Sequence, residues 1–296
     1  MKTTFLTARF ETGDYAIQDQ PRHHPWWLYP NLLSLDAPTV AVVWLFAFSR
    51  AFDSPLSFSV CAVLFLAVWS IYVIDRLIDG LRQKNWSLAT ERHRFVQHHQ
   101  KQFVGLLAVI VPLGAGLTIT TLPIDLIVAG LTLCVMVILY FTAFTCLFPQ
   151  LKRLRAKEFA CGFVFAVGTS LGVDAVRHGV FAHPARTLPA ILIFASLCIF
   201  NCLIIAARER HTDWANDPAA ASVWWRHLDR DLTILGVVLT TASAIAWMQS
   251  SQYALYPACF ISALTLILLN LFQKRFSKSL PRVLADVALL SPLLVL

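Results

Sequence analysis

The chain reads as an all-α, polytopic membrane protein, and three observations predict that class. Apolar stretches of about 20 residues with almost no charge recur along its 296 residues. That is the length a helix rising ~1.5 Å per residue needs to cross a hydrocarbon core of roughly 30 Å. The composition agrees, with 57% hydrophobic and only 14% charged residues and a mean hydropathy of +0.65, well above the range of soluble domains. Basic residues, finally, fall on alternate loops. The apolar runs are continuous and rich in Leu and Ala, whereas a transmembrane barrel would need short alternating segments.

Nine spans are expected, at 30–49, 56–74, 103–121, 124–147, 159–176, 188–207, 231–248, 253–272 and 282–296. Together they make one transmembrane helical domain over 30–296, preceded by a tail over 1–29. The last span holds Asp286 and Pro292, so a half-buried or broken helix is the alternative there. The opening "MKTTFLTARFETGDYAIQDQPRHHP" has no uninterrupted apolar stretch before a small-residue site, so no cleavable signal is expected.

Lys and Arg cluster after the second span (Arg76, Arg82, Lys84, Arg92, Arg94, Lys101), the fourth (Lys152, Arg153, Arg155, Lys157), the sixth (Arg208, Arg210, Arg226, Arg230) and the eighth (Lys274, Arg275, Lys278, Arg282). The alternate loops hold only Arg50, Arg177 and Arg186. By the positive-inside rule the N-terminus and the four basic loops are cytoplasmic and the C-terminus external, as in a protein of a bacterial inner membrane. The net charge of +7 is spread over these juxtamembrane loops without a nucleic-acid motif, which argues against nucleic acid as a partner. All seven cysteines lie within or at the ends of apolar spans, without CxxC spacing, and read as packing residues. His23, His24, His93, His98 and His99 read as a solvated interfacial group rather than a metal site.

The residues that carry chemistry are acids at helix ends. In "WSIYVIDRLIDGLRQ", Asp75 and Asp79 close the second span four residues apart. On a continued helix that spacing puts them about 40° apart on one face and about 6 Å apart along the axis. Two acids so placed can share a cation. The plainer alternative is a solvated helix end, with Arg76 paired to Asp79. The sixth span ends "FNCLIIAARERHTDWANDP", where Glu209 and Asp213 repeat the spacing on the same side of the membrane and Asn201 lies two turns earlier. A charge entering a membrane helix is costly and marks a functional site by default. Two such acidic ends suit Mg²⁺ on oxygen ligands, presented to a diphosphate. Between them, "FPQLKRLRAKEFACGF" supplies Lys152, Arg153, Arg155 and Lys157 for phosphate, although topology alone also puts bases there.

"DRLIDG" at 75–80, "SLDAP" at 34–38, "FPQLKR" at 148–153 and nine spans with their loops on one side resemble the UbiA superfamily of intramembrane prenyltransferases, over most of the chain from about Asn31 onward. The resemblance implies a bundle of nine helices around a lipid-accessible cavity. It implies Mg²⁺ at Asp75, Asp79, Glu209 and Asp213, which would be the catalytic residues. It implies a polyprenyl diphosphate bound with help from Arg76, Lys152, Arg153, Asn201 and Arg208, and prenyl transfer to a lipophilic, aromatic or other nucleophilic acceptor. The sequence also departs from the family. Ile71 stands where the first motif usually has Asn, and Asn201, Arg208, Glu209 and Asp213 stand where the second has aspartates. Three outcomes remain open: a divergent prenyltransferase, a protein that binds isoprenoid or quinone without chemistry, and an inactive scaffold.

Overall fold

The computed structural model describes residues 24–82, 89–142, 157–173, 184–216, 220–249, 255–272 and 280–296. Every regular element among them is helical. After a 3₁₀ turn at Trp26–Leu28, the chain forms α1 (Tyr29–Leu32), α2 (Asp36–Ala51), α3 (Phe58–Arg82), α4 (Glu91–His98), α5 (Gln100–Thr121), α6 (Ile124–Thr142) and α7 (Lys157–Ser170). There follow α8 (Pro184–Asn216), α9 (Ala221–Trp224), α10 (Leu228–Gln249), α11 (Leu255–Phe272), α12 (Leu280–Ala288) and a closing 3₁₀ turn at Ser291–Leu294.

The chain is a helical membrane protein. Five helices are long and apolar enough to cross a bilayer: Phe58–Leu81, Gln100–Thr121, Thr187–Arg210, Leu228–Gln249 and Leu255–Phe272. They coincide with the second, third, sixth, seventh and eighth expected spans. The first expected span is broken, because Trp26–Leu32 and Asp36–Ala51 meet at 82°. The break is made at Ser34, whose φ of 61° lies in the left-handed region that ends a right-handed helix. The fourth and fifth expected spans are described in part, by α6 and α7. The apolar part of α6 is Ile124–Leu139, and α7 has 14 residues, a rise of about 21 Å. Residues 143–147 and 174–176 lie outside the described residues.

The ninth expected span takes the broken form. With nine residues, α12 rises only about 14 Å, but the chain continues beside α11. The Ser291 hydroxyl donates to the Ala258 carbonyl at 2.7 Å, near the start of α11, and the groove between the two segments runs down to Phe272 and Leu284. The C-terminal segment is therefore antiparallel to α11 along most of its length. Carbonyls freed at the end of α12 find donors in neighbouring helices. Ser262 donates to Ala288 and the Trp44 indole donates to Leu289, each at 2.7 Å. In an apolar surround each such group left unpaired would cost several kcal/mol.

α8 is the hub, packing against α7, α9, α10, α11 and α12, while α2 bridges α3, α7, α11 and α12. Trp44, Phe48 and Phe194 form its aromatic centre, with Trp44 stacked on Phe194 at 4.3 Å. By contrast α5 and α6 turn Val109, Leu113, Ile119, Leu131 and Ile138 outward, a surface suited to lipid and not to water.

Candidate functional site

The site is built around the second half of α3. Trp69, Val73, Arg76 and Gly80 are buried, a 4-3-4 spacing that marks one inward helical face. Arg76 on that face is only 4% exposed, and a guanidinium so buried needs acceptors. Its Nη1 donates to the Asn31 carbonyl at 2.5 Å and to the Ser34 hydroxyl at 2.7 Å, and Nη2 stands 4.0 Å from Asp36. Arg76 thus closes the negative end of α1 at the point where the chain bends. Asp75 and Asp79 lie on the flank of this face. Asp75 is exposed, with Cys161 of α7 in its field, while Asp79 is half-buried and engaged in an interaction of its own.

Beneath Arg76, α2 and α12 bring two carboxyl groups together. Asp36 lies in the first turn of α2, where a negative charge favours the helix, and accepts from Asn31 Nδ2 at 2.5 Å and from the Ala37 amide at 2.9 Å. Its carboxyl lies close enough to that of Asp286 for the two charges to interact. Asn201 of α8 donates to Asp286 at 3.3 Å.

Two turns further along α8, Glu209 is held between arginines from two other elements. Arg92 Nη2 of α4 is 3.3 Å from Glu209 Oε2, and Arg282 Nη2 of α12 contacts Oε1. The Glu209 and Arg282 side chains are each 12% exposed. Arg92 is delivered by the amphipathic α4, which docks through Val96 against Trp69 and Val73 of α3 and Phe103 of α5. His93 beside it is buried. Its Nδ1 pairs with the Thr90 hydroxyl at 2.9 Å and its Nε2 finds no partner among the described residues. Burial, then the charges of Arg92, Arg282, Arg76 and Lys157, push its pKa down to about 3. The surroundings of His93 are strongly positive. Asn201 Oδ1 and the Nε atoms of Arg92 and Arg282 are likewise buried without hydrogen-bond partners among the described residues.

The structure therefore joins Arg76, Asn201 and Glu209 of the sequence-predicted set in one buried polar cluster with Asp36, Arg92, His93, Arg282 and Asp286. It directs others elsewhere. Arg208 turns toward α10 and α11, donating to Asn270 Oδ1 at 2.6 Å and lying 3.5 Å from Asp229. Asp213 accepts from the Ser222 hydroxyl at 2.7 Å and so holds α9 against α8. Lys152 and Arg153 lie outside the described residues.

Five members of the cluster, Asp36, Arg92, His93, Arg282 and Asp286, lie outside the sequence-predicted set, and each carries a signal. Asp286 interrupts an apolar run and Asp36 opens one, which is where intramembrane charge points to function. Arg92 and Arg282 were absorbed by the positive-inside count. His93 was read as solvated, but its place three residues before the apolar Val96 puts both on the docking face of α4.

The residues can be compared with what Mg²⁺ requires, an octahedral set of oxygen ligands. Among the described residues no three His, Cys, Asp or Glu side chains gather as a metal-holding group. At Glu209 the fit fails, because both carboxylate oxygens face guanidinium groups. Asp75 and Asp79 present carboxylate oxygens one helical turn apart on α3, the ligand type that Mg²⁺ takes. No protein-family model, curated protein or solved structure matches the chain.

Proposed function

We propose that the chain binds a polyprenyl diphosphate with its head at the cytoplasmic end of the bundle, and acts as a UbiA-like prenyltransferase toward a lipophilic acceptor. The carrying observation is the buried polar cluster drawn from α2, α3, α4, α8 and α12. Ionisable residues gathered inside a helical membrane bundle are by default a functional-site candidate, and arginine is the side chain best matched to phosphate oxygens. In this reading nine segments cross a bacterial inner membrane, counting the broken first and last spans, with the N-terminus inside and the C-terminus outside. Asp75 and Asp79 would hold Mg²⁺, which when bound neutralises charge growing on a departing diphosphate. The chain's own contribution is a positive cluster for the head and apolar helix faces that keep water from the prenyl chain. Glu209 and Asp213 enter as partners of arginine and of α9, not as metal ligands.

A second reading is favoured by the Arg92–Glu209–Arg282 contact: isoprenoid binding without transfer. The test separates the two. Purified protein in nanodiscs is titrated calorimetrically with farnesyl diphosphate, and diphosphate release is followed in the presence of Mg²⁺ and a lipid extract. Binding with release and a prenylated lipid supports transfer, binding without release supports the second reading, and no binding removes both.

A further inference from the structure

We infer that Arg92 and Arg282 form an anion clamp whose ligand position is filled, in the free protein, by the chain's own Glu209 carboxylate, so that an incoming diphosphate binds by displacing Glu209 and needs no metal to do so. The ligand class rests on the functional reading above; the clamp rests on geometry. Two guanidinium groups from different elements, α4 and α12, converge on opposite oxygens of one carboxylate. A diphosphate offers the same planar arrangements of charged oxygens, with more of them.

Several donors at the clamp are left unused by Glu209. The Nε atoms of Arg92 and Arg282 have no acceptor among the described residues. His93, 8% exposed, has an unpartnered Nε2. In the tautomer in which Thr90 donates to Nδ1, that nitrogen carries a proton to offer. One carboxylate cannot reach all of these groups, whereas a larger oxyanion can. The positive surroundings that hold His93 unprotonated act in the same direction, since Arg76, Arg92 and Arg282 gather like charges within interaction range of one another. Glu209 neutralises part of that repulsion while the site is free. Added phosphate charge would neutralise more.

The clamp predicts a sign opposite to that of a metal site. Were Glu209 a metal ligand, its removal would weaken diphosphate binding, and chelator would mimic the loss. As an internal occupant, its removal strengthens binding with chelator present. The experiment uses the full chain in phosphatidylcholine nanodiscs with EDTA, and titrates inorganic pyrophosphate and farnesyl diphosphate against wild type, Glu209→Gln, Arg92→Gln and Arg282→Gln. Glu209→Gln is expected to bind both probes at least about tenfold more tightly than wild type, because a buried charge pair no longer competes. Either arginine variant is expected to lose at least about tenfold. Glu209→Gln alone should also have a lowered thermal midpoint that pyrophosphate restores by more degrees than it raises wild type. If that variant does not purify, Glu209→Asp, with its shorter reach, should show tighter binding of the same sign.

Weaker binding by Glu209→Gln that Mg²⁺ restores overturns the clamp and leaves the functional reading standing. Farnesyl diphosphate binding that ignores Glu209, Arg92 and Arg282 does the same. A site that takes up neither probe, yet is stabilised through Arg92 and Arg282 when phosphatidic acid is added to the discs, overturns the diphosphate assignment and with it the functional reading.

Discussion

At the scale of single residues, His93 has the most direct consequence. Its pKa falls from 6.5 to about 3 on folding, first because burial removes the charged form from water and then because cations surround it. The folded state therefore keeps His93 neutral where the unfolded chain would protonate it. Between about pH 6.5 and about pH 3 the unfolded state holds more protons, so stability is fully present above 6.5 and declines as pH falls through that window, by at most about 1.4 kcal/mol per unit. A thermal unfolding series from pH 7.5 to pH 5 should show the midpoint falling in wild type. His93→Gln, which cannot titrate, should fall less steeply over the same series. Parallel slopes in the two proteins would mean that His93 does not remain buried and neutral.

At the scale of elements, the contact that positions the α8 end of the site is the approach of α7 to α8. Gly162 allows it: a Cβ there would lie 2.5 Å from the Ile199 amide nitrogen and 2.7 Å from its Cα. Those are backbone atoms of a long, hub-forming helix and cannot turn aside as a flexible side chain would. Gly162→Ala must push α7 off α8, at a cost of about 1–3 kcal/mol of overpacking, despite alanine's better helix propensity. Gly236 is the internal contrast. A Cβ there would lie 2.4 Å from Ile267 Cγ1 and 2.8 Å from Phe200 Cζ, side-chain atoms that can shift where backbone cannot, so Gly236→Ala should be the milder change. Thermal midpoints in detergent should rank wild type first, Gly236→Ala next and Gly162→Ala last; a Gly162→Ala midpoint at or above wild type would contradict the close approach.

At the scale of the whole molecule, the question is how the broken first and last segments are threaded. The basic loops follow the second, fourth, sixth and eighth expected spans, and the C-terminal segment runs antiparallel to α11 with Ser291 tied to Ala258. Both observations place Phe272, at the end of α11, and the C-terminus at opposite ends of the bundle. A reporter fused after Lys101 is therefore expected to read cytoplasmic and one fused after Leu296 external. A cytoplasmic reading at both would show that the segment from Leu280 onward enters and returns, which would remove the ninth crossing while leaving the side of the acidic helix ends unchanged.

The sequence by itself determined the class of the molecule and the position of most of its long helices, because hydropathy over about 20 residues is a local property that the bilayer reads directly. It also located the polar helix ends, since Asp75, Asp79, Glu209 and Asp213 stand out at the edges of apolar runs. Only the tertiary structure decided which of those charges meet. Glu209 and Asp213 share a helix face in sequence terms, yet one is drawn to Arg92 and Arg282 and the other to Ser222. Periodicity fixes angles around one helix but carries no information about what a neighbouring helix presents there. Asp36 and Asp286 are 250 positions apart and become partners because α2 and α12 both pack against α8 or its neighbours. Arg76 turns from a helix-end base into the cap of α1 because the chain bends at Ser34. Interior charges must find partners wherever packing brings them, and in a bundle of apolar helices that pairing is settled by the assembly and not by any one segment.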